Sequence, residues 1–280
     1  MTGEQLKEIQ NSTIYRITQL RPGVYRFENS GVHMDLIVGS HHALVWDTGY
    51  GFDDLYGLVR RITELPLYVV NSHGHVDHAC GNWQFEEVYI HPEDMELCRE
   101  HNTPEMRMCE MDTAVLPECF DMDDYLGHDC GNLLPVDKET VFDLGGKTLE
   151  VVALPGHTRG SIGLYCREEK LLYVGDAINN FLWLFLPEAT SLETYRDTLR
   201  KAENIDFSYM LQSHHGHPVP KERLNVYRDL AEHLDFYAGE LVPAPMMPGK
   251  FARICIRGGL TKEDAHRDDF AAILIGEDKL

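Results

Sequence analysis

Short apolar runs bounded by turn-forming residues open the chain. Residues 24–27, 34–38 and 43–46 are separated by Gly, Ser, His or Asn, the pattern of antiparallel strands joined by tight turns. Leu55, Leu58, Val59 and Ile62 then fall at helical spacing within residues 53–63, and the β-branched run 67–70 leads into Asn71, so strand, helix and strand follow one another. The second half repeats the theme: strands at 148–153, 161–165 and 171–174, a helix from 192 to about 204, and a strand at 209–212. Leu224, Val226, Tyr227, Leu230 and Leu234 predict a helix over 222–237, and 251–256 and 270–275 read as closing strands. The unbroken apolar run 181–187 fits helix or strand alike. Two similar halves are implied, within a single α/β domain spanning 1–280, because one hydrophobic core remains efficient up to roughly 250–300 residues.

Composition narrows this picture. With 43% apolar and 25% charged residues the chain is a folding sequence. Its 46 acidic against 25 basic residues give a formal charge of −21, which repels phosphate backbones and anionic lipid surfaces and argues against nucleic acid as a partner. No apolar leader occurs at the start, and nowhere do about 18 apolar residues run together, so a cytoplasmic protein without a transmembrane segment is expected. Seven cysteines without a C-x-x-C pair suggest free thiols of a reducing compartment. The near-even spacing of Cys98, Cys109, Cys119 and Cys130 leaves a further metal site or paired bridges as alternatives to buried thiols. These cysteines lie in a segment from about 93 to 139 that carries five methionines and 14 acidic against three basic residues. It reads as a mostly helical acidic insertion covering one side of a site, or as a solvated acidic face over a Met-rich patch of core.

Candidate chemistry is concentrated in Asn71-Ser72-His73-Gly74-His75-Val76-Asp77-His78, where three imidazoles and a carboxylate crowd six positions after a predicted strand. Imidazole and carboxylate are ligands of borderline ions such as zinc, and crowding them without a cation sacrifices solvation. Gly74 is a poor interior helix residue, so the motif is expected on the loop leaving the strand. Three more sets stand at predicted strand ends: Leu154-Pro155-Gly156-His157-Thr158, Tyr173-Val174-Gly175-Asp176-Ala177 and Gln212-Ser213-His214-His215-Gly216-His217. Loops at strand ends are where α/β folds generally place their sites.

The order H-G-H-V-D-H, P-G-H-T, G-D-A and S-H-H-G, with Val45-Trp46-Asp47-Thr48-Gly49 ahead of it, resembles the metallo-β-lactamase superfamily from about Val24 to Pro218. The resemblance implies a four-layer αββα sandwich and two divalent ions, zinc foremost, with iron or manganese as alternatives. It places His73, His75 and His157 on one ion and Asp77, His78 and His215 on the other, with Asp176 bridging. His214 and His217 stay open as alternatives to His215. Asp47 takes a supporting or turn-stabilising role. Two divalent ions facing two carboxylates would bring the pKa of a bridging water to roughly 7. The resulting hydroxide is the implied nucleophile, with Asp77 orienting or returning a proton. Cys80 has no paired base and reads as structural.

An aspartate at the bridging position resembles the glyoxalase II and acyl-homoserine lactonase branch rather than the β-lactamases, for which a side activity at most is expected. Asn179 stands where those lactonases typically carry tyrosine, and Asn179 or Asn180 could donate a hydrogen bond to an oxyanion. The G-x-C-G-R stretch of glyoxalase II is missing. The apolar run after Asp176 suggests a pocket wall for an apolar acyl chain, a patch between two subunits of a homodimer, or simple core. The expectation is a hydrolase of an ester, thioester or lactone of a neutral or hydrophobic small molecule. A phosphodiesterase of small substrates and a mono-iron sulfur dioxygenase are the rival readings.

Overall fold

A computed structural model describes residues 3–109, 111, 114–267 and 269–280. The first sheet contains β1 (Arg16–Arg21), β2 (Val24–Asn29), β3 (Val32–Val38), β4 (Ala43–Trp46), β5 (Leu67–Val70), β6 (Val88–Ile90) and β7 (Leu133–Pro135) in sequence order. It is antiparallel up to β4 and parallel from there. The second sheet contains β8 (Val141–Asp143), β9 (Thr148–Ala153), β10 (Ile162–Cys166), β11 (Leu171–Gly175), β13 (Tyr209–Gln212) and β14 (Val219–Pro220), in the order β14-β13-β11-β10-β9-β8. A third sheet joins β12 (Phe181–Leu184) to β17 (Ala272–Ile275), β16 (Phe251–Ile256) and β15 (Glu240–Pro243).

The layers follow from strand alternation, since successive side chains point to opposite faces. In β4, Leu44 and Trp46 face the second sheet while Ala43 and Val45 pack the other way. In β11, Leu171 and Tyr173 meet the first sheet, and Leu172 and Val174 pack outward. Both strands are buried throughout, so the sheets stack face to face with helices outside them. The helices α1 (Gly3–Gln10) and α2 (Leu55–Ile62) cover the first sheet through Ile9, Leu55, Leu58 and Val59. The helices α7 (Leu192–Glu203) and α8 (Leu224–Glu232) cover the second through Tyr195, Leu199, Tyr227 and Leu230. This is the expected αββα sandwich. Caps mark two helix starts: Asp54 accepts from the Gly57 N–H and Ser191 from the Thr194 N–H.

Several boundaries differ from the periodicity. The ambiguous run after Asp176 is a strand, because Leu182 and Leu184 enter the core while Phe181 and Trp183 face away from it. The helix expected to 237 stops at Glu232; further on, Asp235 accepts the N–H groups of Tyr237 and Ala238 in a turn. The insertion is helical in α4 (Met95–His101), α5 (Pro104–Cys109) and α6 (Met122–Gly127), but it ends before β7, which joins the first sheet. Residues 110, 112 and 113 within it lie outside the described residues. All seven cysteines are free; Cys98 and Cys130 share a small buried cluster, whereas Cys109 and Cys119 are exposed. Among the described residues no cysteine joins a metal-type cluster, which sets aside the bridge and metal-site alternatives. Among the described residues no helix is long and apolar enough to cross a membrane.

One buried ion pair ties the two large sheets together. Arg26 on β2 donates Nε and Nη2 to the two carboxylate oxygens of Asp35 on β3, at 2.8 and 2.7 Å, and its Nη1 donates to the His215 carbonyl at 2.6 Å. The His33 backbone N–H donates to the Ser213 carbonyl, also at 2.8 Å. The first sheet therefore grips the loop that follows β13. Removing one partner of a buried pair strands the other charge, so Asp35→Ala is expected to cost about 3–5 kcal/mol in urea unfolding. Arg26→Met combined with Asp35→Leu is expected to cost clearly less than Asp35→Ala alone. A single-variant loss within 0.5 kcal/mol, the range of an ordinary surface substitution, would contradict the buried-pair reading.

Candidate metal centre

Four loops bring the site together from the C-terminal ends of β5, β9, β11 and β13. The first leaves β5 as an irregular turn through Ser72, His73 and Gly74, then enters a single helical turn, α3 (Val76–Ala79), with His75 as its N-cap in an extended conformation. His73 and His75 are thus on the loop, as expected, but Asp77 and His78 are on a helix. Gly74 is required here by close approach: a Cβ would stand 2.8 Å from both the Asp94 carbonyl oxygen and the Cys98 nitrogen. Asp94 also joins two of the loops. Its carboxylate accepts from the Gly74 N–H at 3.1 Å, the Thr158 hydroxyl at 2.6 Å and the Gly160 N–H at 2.8 Å.

Two clusters result. His75 Nδ1 faces His73 Nε2 at 3.1 Å and His157 Nε2 at 2.9 Å. Zinc–nitrogen bonds of 2.0–2.1 Å in tetrahedral arrangement put ligand nitrogens roughly 3.3 Å apart, close to these separations. In the second cluster Asp77 Oδ2 is 3.2 Å from both His78 Nε2 and His214 Nε2. Asp176 stands between the two: its Oδ2 is 3.2 Å from His214 Nε2, 3.8 Å from His78 Nε2 and 3.9 Å from His157 Nε2. His214 occupies the place expected of His215. The carbonyl of His215 is held by Arg26 and its ring Nδ1 lies 3.0 Å from the His217 carbonyl. The grip of the first sheet on this loop turns His214, one position earlier, into the site.

Each converging imidazole has its other ring nitrogen placed against an acceptor. His73 Nδ1 meets Ser72 Oγ, whose own proton goes to Asp47. His78 Nδ1 meets Asp47 at 2.9 Å, His157 Nδ1 the Trp183 carbonyl at 3.1 Å, His214 Nδ1 the Gly31 carbonyl at 3.0 Å, and His75 Nε2 the Glu188 carboxylate at 2.7 Å. An N–H committed outward leaves a lone pair on the inward nitrogen, the tautomer a metal ligand needs. Asp47, fully buried with φ 60°, also accepts from the Ser72 backbone N–H, so it shapes the turn and aims His78 together.

These residues fit a cation. His78 Nε2 and Asp176 Oδ1 are buried without a hydrogen-bond partner, a costly state for polar groups unless something else meets them. Burial, with the charges of neighbouring imidazoles, holds His73 well below its ordinary pKa, and burial with His75 holds His157 at about 4. Burial would lower His78 too, but Asp77, Asp47 and Asp176 outweigh it and raise His78 to about 10. Burial likewise opposes ionisation of Asp77 and Asp176, yet His78 and His214 keep both carboxyls below the usual range. One half of the site keeps imidazoles neutral, and the other draws positive charge. His73, His75 and His157, His73, His78 and Asp176, and Asp77, His78 and His214 are groups that could hold metal ions.

A cavity of about 350 Å³ opens beside the clusters. Its apolar side is formed by Phe181, Trp183, Leu186, Met246 and Tyr50, and among the described residues no Lys or Arg lines it. The insertion contributes His101, whose ring stacks on His75 with centroids 4.8 Å apart. Asn179 lines the cavity; its amide donates one N–H to the Asp176 carbonyl and accepts from the Phe181 N–H, so it also braces the turn after β11. Asn180 accepts from Arg223 and Tyr227 and is a structural hub. Asp94, His101 and Glu188 went unnoticed in the sequence, because none belongs to a recognisable motif and the partners of each lie far along the chain.

Residues 31–214, more than half of the chain, match the family model described as "Metallo-beta-lactamase superfamily". Similar curated proteins are acyl-coenzyme A thioesterase MBLAC2 of Gallus gallus, 33% identical over 171 residues (55% of this chain, 60% of the relative), and that of Bos taurus, 29% identical over 170 residues (55% and 61%). Atrochrysone carboxyl ACP thioesterase AacuM of Aspergillus aculeatus is 25% identical over 230 residues (77% and 63%). The chain thus spans about three-fifths of the length of these relatives. Among solved structures, a metallo-beta-lactamase from Pontibacter korlensis superposes with TM-score 0.56 at 17% identity, covering 78% of this chain and 99% of that one. The sec-alkylsulfatase Pisa1 from a Pseudomonas species superposes with TM-score 0.61 at 16% identity, covering 84% and 44%. These identities speak for the shared fold alone, but with the family match over most of the αββα sandwich they lead to one conclusion: this chain belongs to the metallo-β-lactamase superfamily.

Proposed function

We propose that this protein is a dinuclear metallohydrolase, zinc being the natural ion for its nitrogen and oxygen donors, that cleaves thioesters of apolar acyl groups. The observation that carries the reading is the cavity itself, in which an apolar wall, without Lys or Arg among the described residues, stands directly against His75, Asp77 and Asp176. The thioesterase names of the similar curated proteins support the thioester within the wider class of acyl substrates. His73, His75 and His157 would hold one ion, Asp77, His78 and His214 the other, with Asp176 shared between them.

Bound there, divalent ions supply an activated water and a Lewis-acid contact for a carbonyl oxygen. The protein's own residues supply the rest. Phe181, Trp183, Leu186 and Met246 receive the acyl chain and exclude water from it, which sets the carbonyl at the clusters. Water adds to the carbonyl carbon, the C–S bond breaks, and a carboxylic acid and a thiol leave. A free thiol has a pKa of about 8.5, so the sulfur departs readily as thiolate without a strong acid beside it. Asp77, which lines the cavity beside His75 and Asp176, would accept the proton released by the attacking water.

The test is a panel of thioesters, esters, lactones and phosphodiesters offered to metal-reconstituted protein, with His75→Ala as blank. Apolar acyl thioesters are expected to turn over fastest and His75→Ala to lose nearly all activity; efficient phosphodiester hydrolysis with none on acyl substrates would overturn the reading. Trp183→Ala is expected to lower kcat/KM for a long-chain acyl thioester about tenfold, as about 1.4 kcal/mol of lost apolar contact implies, and to spare an acetyl thioester. Metal analysis should give two equivalents for wild type and for His215→Ala but one for His214→Ala. Two equivalents in His214→Ala would restore the original expectation.

A further inference from the structure

Two of the converging imidazoles are oriented by a carboxylate. For His78 that carboxylate is Asp47, which belongs to the motif-bearing stretch. For His75 it is Glu188, which no motif carries: it stands on the loop between β12 and α7, and its Oε1 lies 2.7 Å from His75 Nε2. The ring of His75 is further confined by His101 of α4, whose plane is tilted from it by only 22°. With Nε2–H committed to Glu188, Nδ1 keeps its lone pair toward His73 and His157. A carboxylate accepting from a ligating imidazole fixes its tautomer and raises its basicity.

The loop bearing Glu188 is itself anchored. Arg159 donates to the Pro187 carbonyl at 3.0 Å, the buried Lys279 ammonium donates to the Ala189 carbonyl at 2.9 Å, and the Thr190 N–H donates to the Gly156 carbonyl at 2.9 Å. That last bond joins it to the loop of His157. The side chain of Glu188 is largely buried, with 14% of it exposed, so its contact with His75 is screened little by water. We propose that Glu188 is the positioning residue of the His73, His75 and His157 cluster, acting through His75 to set the affinity of that cluster for its ion. The proposal rests on the dinuclear reading above but not on the substrate.

The experiment compares wild type, Glu188→Ala and Glu188→Gln, each stripped of metal and titrated with Zn²⁺ against a chromophoric chelator, and with Co²⁺ while its visible absorption is recorded. Circular dichroism and Tm confirm that each variant is folded. Glu188→Ala is expected to weaken one of the two equivalents roughly 10–100-fold, leave the other unchanged and alter the Co²⁺ spectrum. Glu188→Gln keeps a carbonyl that accepts from Nε2–H and should recover part of the loss; it also carries the test if the alanine variant does not fold. Wild-type affinity for both equivalents with an unchanged spectrum in the variants would overturn the proposal, as would a wild-type protein that takes up no divalent ion. Failure of the substrate reading looks different: wild type would bind both ions tightly and hydrolyse no thioester.

Discussion

Five imidazoles and two carboxylates, most of them buried, converge at one end of the sheets, and the surrounding structure is organised by what that requires. Each ring must present a lone pair inward and hide its N–H outward, so each needs an acceptor at a fixed place in the wall. Those acceptors come from five separate segments: Ser72, Gly31, Asp47, Trp183 and Glu188. Buried polar atoms without a hydrogen-bond partner at the centre, His78 Nε2 and Asp176 Oδ1, give the same requirement from the other side. A cation placed among them would meet both atoms.

The constraint explains why the sandwich and the site cannot be separated. The β2–β3 hairpin of the first sheet supplies Gly31, with φ 84° and a carbonyl directed at His214. It also supplies the Arg26 and Asp35 pair that seizes the next residue of the same loop. Imidazoles from the second sheet are therefore aimed by groups of the first, and packing between the sheets sets the geometry of the clusters. Asp94 does the same at the other edge, where one carboxylate joins the loop of His73 and His75 to the loop of His157.

The cavity wall follows a different logic. The third sheet uses the two faces of β12 for two purposes: Leu182 and Leu184 complete the core, and Trp183 lies along the cavity. Met246, from the hairpin between β15 and β16, adds to the same wall. His101 enters from the insertion. The apolar groups that a substrate would meet thus stand on other elements than the clustered imidazoles and carboxylates, an arrangement that lets specificity change without disturbing the clusters.

What the sequence by itself determined is local. Crowded imidazoles after an apolar run, a histidine on a Pro-Gly turn and an aspartate after a buried strand are legible because each depends on neighbours within a few positions, and the strand and helix periods that place them are local too. Strands of two or three residues, β6, β7, β8 and β14, escaped notice because so short a run carries no period. The choice of His214 over His215 was decided by tertiary structure alone: adjacent histidines are equivalent until Arg26 and His33, some 180 residues away along the chain, fix the rotation of their loop. The same holds for Glu188, His101 and Asp94, whose roles exist only as distances to residues remote in sequence. A hydrogen bond is made in space, and a pattern along the chain records only those whose partners are near.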